Sequence, residues 1–338
     1  MKTKKREIYL LVQNDFVPSN KLEQTIFYEA YKVGKIQYMQ EPSHRGILNL
    51  LTKRKIQNLS GDLFNGLWMN ICCLPNKLEK LYVEYENIYV IFLNTTFTKG
   101  RYSIAFLKKL KKRYPKIKYI LYYLDTVVKG ESEYANYARK LNLFDIVYTF
   151  DLEDANTYGL RYWPTPYSKL DVKNIENEIE DIYFCGVDSD RREILNKIIS
   201  NKNITMEMDI VEVEDKKTVD LINRKNIKIY NQEEILPYEI TISHMLNSKC
   251  ILELVRPNQV GLTLRPYEAV VYGKKLITNN KTILSFPYYN KDYMQYFEKV
   301  EDIDWEWINN EKKIDYKYDG RFSPLKLLED IKLQCKNN

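Results

Sequence analysis

Between residues 255 and 280 the chain reads VRPNQVGLTLRPYEAVVYGKKLITNN. Its polar residues are of the types that recognise anions and hydroxyls. Arg256, Gln259, Gly261, Thr263, Arg265 and Glu268 fall between two apolar runs, KCILELV (249–255) and KKLITNN (274–280). A guanidinium presents a planar fork of donors that matches phosphate oxygens, and a carboxylate accepts bonds from ribose hydroxyls. Pro266 suits the first turn of a helix, which puts Arg265 at or near the N-cap and Glu268 near the third helical position. The plain roles are a solvated loop cation for Arg265 and an acid offsetting the helix dipole for Glu268, the latter worth about 0.3–1 kcal/mol. Arg is not a preferred N-cap, however, and an acid at the third position normally pairs with a capping Ser or Thr. Thr263 lies too far upstream for that pairing. The residue choice fits a ligand with phosphates and hydroxyls, and nucleotide binding is the expectation.

A second stretch, FCGVDSDRREIL (184–195), carries related chemistry. An apolar segment runs into Gly186, then Ser189, then a helix opening near Asp190 or Arg191. Backbone N–H groups at a helix start favour an anion, and a glycine lets a phosphate approach. Arg191 and Arg192 add charge-assisted donors. The plainer reading is a turn capped by Ser189 or Asp190. Asp188 and Asp190 form an Asp-x-Asp tripeptide, which holds a metal in some enzymes. It is also common by chance, and no metal or other cofactor is expected.

These residues need elements to position them. IYLLVQ (8–13), IYVIFLN (88–94), IKYILYYL (117–124) and FDIVYTF (144–150) are short and nearly continuous in hydrophobicity, as in strands buried on both faces. Helical patterns at 102–114 and 132–143 lie between some of them. Strand alternating with helix predicts a parallel sheet with crossover helices. The pattern breaks at LRYWPTPYSKLDVKNIENEIED (160–181), read as an interdomain connection, and then resumes. Strands are expected at 181–187, 204–211, 249–255 and 274–280, and helices at 190–200, 233–248, 265–273 and 323–335. Ser323 is the N-cap of the last helix, with Pro324 at its first position. The expected fold class is α/β, with an N-terminal domain over 1–168 and a C-terminal domain over 176–338, the last helix packing back on the first domain. In open α/β sheets ligands bind beyond the carboxyl ends of the strands. That rule selects loops at 13–20, after 94 and at 125–130 in the first half, and at 186–192 and 256–265 in the second.

The totals agree with two soluble domains. Of 338 residues, 44% are hydrophobic, enough for two cores, and 29% are charged, which argues against disorder. No run approaches the roughly 18 apolar residues of a membrane span. The apolar part of the N-terminus is shorter than a signal-peptide core. Five scattered cysteines without a CxxC, and two histidines, make a zinc site improbable and suit a cytoplasmic protein with reduced thiols.

DIYFCGVDSDRREIL, SKCILELVRPNQVGLTLRPYEAVVYGKKLITNN and FPYYN together resemble the C-terminal half of bacterial glycosyltransferases of the GT-B fold. The nearest group is that of lipopolysaccharide and capsule biosynthesis, related to spore-maturation glycosyltransferase-like proteins. The resemblance implies two Rossmann-like domains with parallel sheets facing a cleft, the first for the acceptor and the second for a nucleotide-sugar donor. The first half matches in organisation only, most closely over YTFDLEDANTYGLRYWPTPY (148–167). By resemblance, Glu268 holds the donor ribose. Gly261, Thr263 and Arg265 lie near the diphosphate, and Gly186, Ser189 and Arg191 form the first donor loop; Arg256 and Gln259 are also expected to bind the donor. The implied activity is a metal-independent, hexosyltransferase-type transfer to a cell-surface glycan or a lipid-linked acceptor. A non-catalytic coat-assembly protein and a nucleotide-sugar epimerase share the fold and stand as alternatives. Many retaining members carry two glutamates eight residues apart, but the position eight before Glu268 is Val260. An inverting enzyme would instead need a general base in the acceptor domain. Asp15, His44 and Asp125, in loops or at strand ends, are the candidates. His244 is read as an ordinary helix histidine.

From Lys99 to Lys118 nine cations occur with no acid among them. The plain reading is the solvated face of a crossover helix. The functional reading is contact with anionic headgroups on the inner face of a membrane, worth roughly 1 kcal/mol per well-placed cation. With a net charge of +6 and no recognition motif, no nucleic-acid partner is expected.

Overall fold

The computed structural model of the chain describes residues 5–13, 26–40, 73–97, 102, 104–127, 139–140, 142–172, 179–211, 226–231, 234, 236–256, 261–310 and 312–337. They divide into two units. One takes the described residues up to Ser168 together with those from Phe322 onward, and the other takes Lys169–Arg321.

In the first unit the elements run β1 (Lys5–Gln13), α1 (Tyr28–Lys32), β2 (Ile36–Gln40), α2 (Cys73–Glu84), β3 (Tyr85–Leu93), α3 (Ile104–Arg113), β4 (Lys118–Tyr123), β5 (Ile146–Thr149), α4 (Leu152–Tyr158) and β6 (Arg161–Tyr162). All six strands are parallel, in the order β2-β1-β3-β4-β5-β6. Alternate side chains feed two apolar layers, as the pleat requires. Ile8, Leu10 and Val12 share one layer with Val90, Phe92, Leu121 and the buried faces of α2 and α3. Tyr9, Leu11, Tyr89, Ile91, Ile120 and Tyr148 face the other. Burial on both faces is why these strands read as unbroken apolar runs.

The second unit runs β7 (Glu180–Val187), α5 (Arg192–Ile199), β8 (Met206–Val211), β9 (Ile227–Tyr230), α6 (Tyr238–Leu246), β10 (Ser248–Glu253), α7 (Arg265–Tyr272), β11 (Lys275–Thr278) and β12 (Met294–Tyr296). Its strands are also parallel, in the order β12-β11-β10-β7-β8-β9. Counted along the unit this is 6-5-4-1-2-3, the doubly wound order of a dinucleotide-binding sheet. The order reverses between β7 and β10, so the crevice at their carboxyl ends is the topological switch point. Ile182, Phe184, Met208, Ile210, Cys250 and Leu252 pack with α5 on one face.

The last helix, α8 (Pro324–Asn337), belongs to the first unit. Leu327, Leu328 and Ile331 fill the layer that also holds Tyr9 and Tyr148. Ser323 accepts the Leu325 N–H at 3.2 Å and donates to Glu29 at 2.7 Å. Arg161 binds Asp330 through two 2.6 Å bonds, and the Tyr148 hydroxyl donates to the same carboxylate at 2.6 Å.

The structure adds elements that the apolar runs did not announce. β2, β6, β9 and β12 are short, and β6 lies inside the stretch read as a connection. Most of the expected helix at 132–143 lies outside the described residues. Among the described residues, no helix is long and apolar enough to cross a membrane.

Candidate functional site

The switch point of the second sheet gathers most of the residues singled out above. β7 ends at Val187, and Ser189–Arg191 make a 3-10 turn before α5. A Cβ at Gly186 would sit 3.3 Å from Arg191 Nη1 and 3.1 Å from Phe184 Cζ, so the glycine makes room for the arginine. Arg191 Nη1 donates to the Val187 carbonyl at 2.8 Å, while its Nε is buried with no hydrogen-bond partner. Burial, then the nearby Arg256 cation, push the Arg191 guanidinium below its ordinary value. Buried donors are normally satisfied, so an orphan beside a second cation is where an anion would relieve both costs. Arg256 leaves the carboxyl end of β10, and Gln259 lies outside the described residues. Asp188 is fully buried and takes the Arg192 Nε at 3.1 Å, so it braces the turn. Among the described residues, no group of three or more His, Cys, Asp or Glu is arranged for a metal ion.

Helix α7 begins one residue earlier than its proline suggests. Arg265 is its first residue, and the Glu268 N–H closes the first turn on the Leu264 carbonyl at 2.9 Å. Thr263 Oγ1 accepts the Arg265 N–H at 3.1 Å, so the threonine serves the helix start after all. Glu268 therefore sits at the fourth helical position, on the buried face. Its residue is 0% exposed. Arg265 Nη1 lies 2.5 Å from Glu268 Oε2, and the Tyr238 hydroxyl lies 2.5 Å from Oε1. Arg265 Nη2 reaches the Cys185 carbonyl at 3.2 Å. Burial opposes the Arg265 charge, but the Glu268 carboxylate outweighs it and holds the guanidinium above its ordinary value. Arg265 is thus committed to holding Glu268 against β7; Arg191 and Arg256 are two further cations at the crevice. Two of the roughly four lone-pair positions on the Glu268 carboxylate are taken by protein donors.

Beneath α6 and α7 runs a polar row that sequence reasoning missed. Cys185 is in register with Asp209, and Glu253 with Thr278. The register of Ile251 with Tyr183, continued two residues, puts Glu253 beside Cys185. Asp209, Cys185, Glu253 and Thr278 therefore cross four neighbouring strands on one face. Asp209 accepts from Tyr183 at 2.8 Å and Tyr230 at 3.1 Å, and lies 2.7 Å from His244 Nδ1. Burial would raise the Asp209 carboxyl, but the bonds from His244 and Tyr183 bring it below the ordinary range. His244, expected to be an ordinary helix histidine, instead bridges Asp209 and Glu207, the latter at 3.4 Å. The signal for this row was a charged residue inside each apolar run, Asp209 in MDIV and Glu253 in ILELV.

Asp125 follows β4 in the first unit. Its loop is pinned on both sides: Asn94 Oδ1 accepts the Leu124 N–H at 2.8 Å, and Asp154 Oδ2 accepts the Val127 N–H at 2.7 Å. Asp15 and His44 lie outside the described residues. In the basic segment, Lys111 and Lys118 approach Asp145 at 3.5 and 3.7 Å, and Arg113 approaches Glu79 at 3.4 Å. Acids from other elements thus answer part of a charge that looked unopposed in sequence. Lys108, Lys112 and Lys116 are exposed, and Lys99 and Arg101 lie outside the described residues.

No family model and no curated protein matches this chain. Solved structures do. An alpha-glucosyltransferase in complex with UDP and a 13-mer DNA containing a central A:G mismatch superposes with a TM-score of 0.60 at 10% identity, covering 98% of this chain and 100% of that one. A putative UDP-N-acetylglucosamine 2-epimerase from Listeria monocytogenes gives 0.50 at 12% identity, covering 99% and 98%. At such identities the likeness speaks for the fold, which is GT-B: two Rossmann-like α/β domains, each on a parallel six-stranded sheet.

Proposed function

We propose that the chain is a glycosyltransferase that takes a sugar from a nucleotide-sugar donor held at the carboxyl ends of β7 and β10. The observation that carries this reading is Arg191, whose buried Nε has no partner and whose neighbour Arg256 is a second cation at the switch point of a doubly wound sheet. In this reading Arg191 and Arg256 meet the diphosphate, with the Gly186 and Gly261 loops beside it. Their charge stabilises the leaving group without a metal. Glu268, positioned by Arg265 and fully buried, takes the ribose where the Tyr238 hydroxyl yields its place on Oε1. Asp125, on its pinned loop, is the candidate base, with Asp15 and His44 as rivals.

We further propose a cell-surface glycan or lipid-linked acceptor, and a cytoplasmic chain whose exposed Lys108, Lys112 and Lys116 meet an anionic membrane. The DNA in the alpha-glucosyltransferase complex belongs to that protein, so duplex DNA is a control acceptor. The first experiment is a thermal-shift screen against UDP, GDP, CMP and dTDP sugars. A ligand at a hundred times its Kd adds about 2.7 kcal/mol, which is readily visible. No shift with any of the four would remove the donor-site reading.

The likeness to the epimerase supports a second reading of the same site. Free nucleotide released from the donor without any acceptor favours epimerisation; release that requires an acceptor favours transfer.

A further inference from the structure

We infer that Glu253 is the positioning residue of the donor crevice: it closes a ring of hydrogen bonds that sets the shape of the Gly261–Arg265 loop at the start of α7. The inference rests on the donor-site reading for its link to ligand binding, and on geometry alone for the ring.

Glu253 ends β10 and is 2% exposed. Its Oε1 accepts from the Thr263 hydroxyl at 2.5 Å and its Oε2 from the Thr278 hydroxyl at 2.5 Å. Thr278 Oγ1 in turn accepts the Asn280 N–H at 2.9 Å. Asn280 Nδ2 donates to the Gly261 carbonyl at 2.9 Å. From Gly261 the chain leads back in two residues to Thr263, which completes the ring. Thr263 Oγ1 also accepts the Arg265 N–H, which joins the ring to the first residue of α7. Gly261 has φ +89°, a left-handed conformation that a residue with a Cβ adopts only with strain. The loop therefore leaves its turn in one direction and is tied to a single carboxylate, directly through Thr263 and by way of Asn280 and Thr278 at its Gly261 end.

The choice of residue has a physical reason. Both donors to Glu253 are hydroxyls, and only a carboxylate accepts from both through equivalent oxygens. A glutamine offers one acceptor oxygen, and its amide nitrogen is donor only. A buried carboxylate without strong partners is costly, so the position makes sense only if the ring is kept. Burial pushes the Glu253 carboxyl up, with the two threonine hydroxyls and the Arg265 cation opposing. The ring also governs Glu268 indirectly, because it locates the helix start from which Arg265 reaches that carboxylate.

The test compares the full chain with Glu253→Gln and, as a second variant that keeps side-chain shape, Thr263→Val. Amide hydrogen exchange is followed over residues 261–268 and over β8 as an internal standard, and UDP affinity is measured by calorimetry below the melting point. The expected result is at least tenfold faster exchange at 261–265 in both variants, unchanged exchange in β8, and at least tenfold weaker UDP binding. A residue that merely stabilised the fold would lower the melting temperature and speed exchange in β8 as well. Unchanged exchange at 261–265 overturns the ring, and faster exchange with unchanged UDP affinity overturns the positioning role. If Glu253→Gln does not fold, Thr263→Val decides by the same readings. If the unmodified chain binds none of UDP, GDP, CMP or dTDP, the donor-site reading fails, and the exchange measurement alone decides the ring.

Discussion

The Tyr238 hydroxyl stands 2.5 Å from Glu268 Oε1, so a protein donor already occupies one oxygen of the carboxylate that we propose for the donor ribose. Tyr238 is the first residue of α6, and Glu268 lies in the first turn of α7. A ribose hydroxyl and this phenol would draw on the same carboxylate.

Tyr238→Phe separates stability from binding. It removes a hydrogen bond to a buried charged group, typically about 1.5–3 kcal/mol, and leaves the carboxylate an open lone pair. The melting temperature should fall, while nucleotide affinity should hold or improve. Calorimetry and thermal denaturation on the same variant check this. A loss of affinity matching the loss of stability would argue that the tyrosine touches the ligand.

Glu268→Ala is a poor probe of binding by itself. It would leave the Arg265 guanidinium unpaired in a largely buried site, and breaking such a pair costs roughly 3–5 kcal/mol. Glu268→Gln keeps the shape and an acceptor oxygen. The expected outcome is a folded Gln variant with nucleotide affinity reduced about tenfold, and an Ala variant whose melting temperature drops well below it. Denaturation curves of the two, followed by calorimetry on the Gln variant, decide the point.

Asp209 predicts a definite pH dependence. Its folded value lies below the ordinary 3.8, so in the window between the two the unfolded chain binds the proton and the folded chain does not. Stability rises with pH wherever the unfolded state holds more protons. The Asp209 contribution is therefore present above 3.8 and lost as pH falls through the lower folded value. Asp209→Asn should destabilise most at neutral pH, and the gap to the unmodified chain should close in acid. Urea midpoints from pH 7 down to pH 2 read this directly.

Asp330 ties the last helix to the first sheet. Asp330→Ala strands the hydroxyl of Tyr148, a residue that is 0% exposed, and a buried unsatisfied donor costs about 1–3 kcal/mol. The Arg161 contribution is smaller, since that side chain is 41% exposed and screened by solvent. A loss of roughly 2 kcal/mol in denaturant unfolding is expected, with nucleotide binding in the second unit unchanged.

Much of the fold was legible because strands covered on both faces are apolar along most of their length. β1, β3, β4, β5, β7, β8 and β10 all announce themselves in this way, and the returning pattern after 160–181 announces a second sheet. The start of α7 was legible to within one residue from Pro266. β2, β6, β9 and β12 were not, because edge strands of two to five residues carry too few side chains to form a run.

The division for the candidate site follows the same physics. The sequence by itself determined the chemical types present: arginines and a glutamate among glycines and threonines, next to strands that end where α/β sheets bind ligands. Only the tertiary structure decided which of them meet. It spent Arg265 on Glu268 and left Arg191 with an orphan donor. It also brought Thr263 and Thr278 onto one carboxylate, Glu253, with Asn280 bonding Thr278 and Gly261 beside it. Hydrogen bonds and ion pairs act over about 3 Å, and register across parallel strands, not spacing along the chain, sets which side chains come that close.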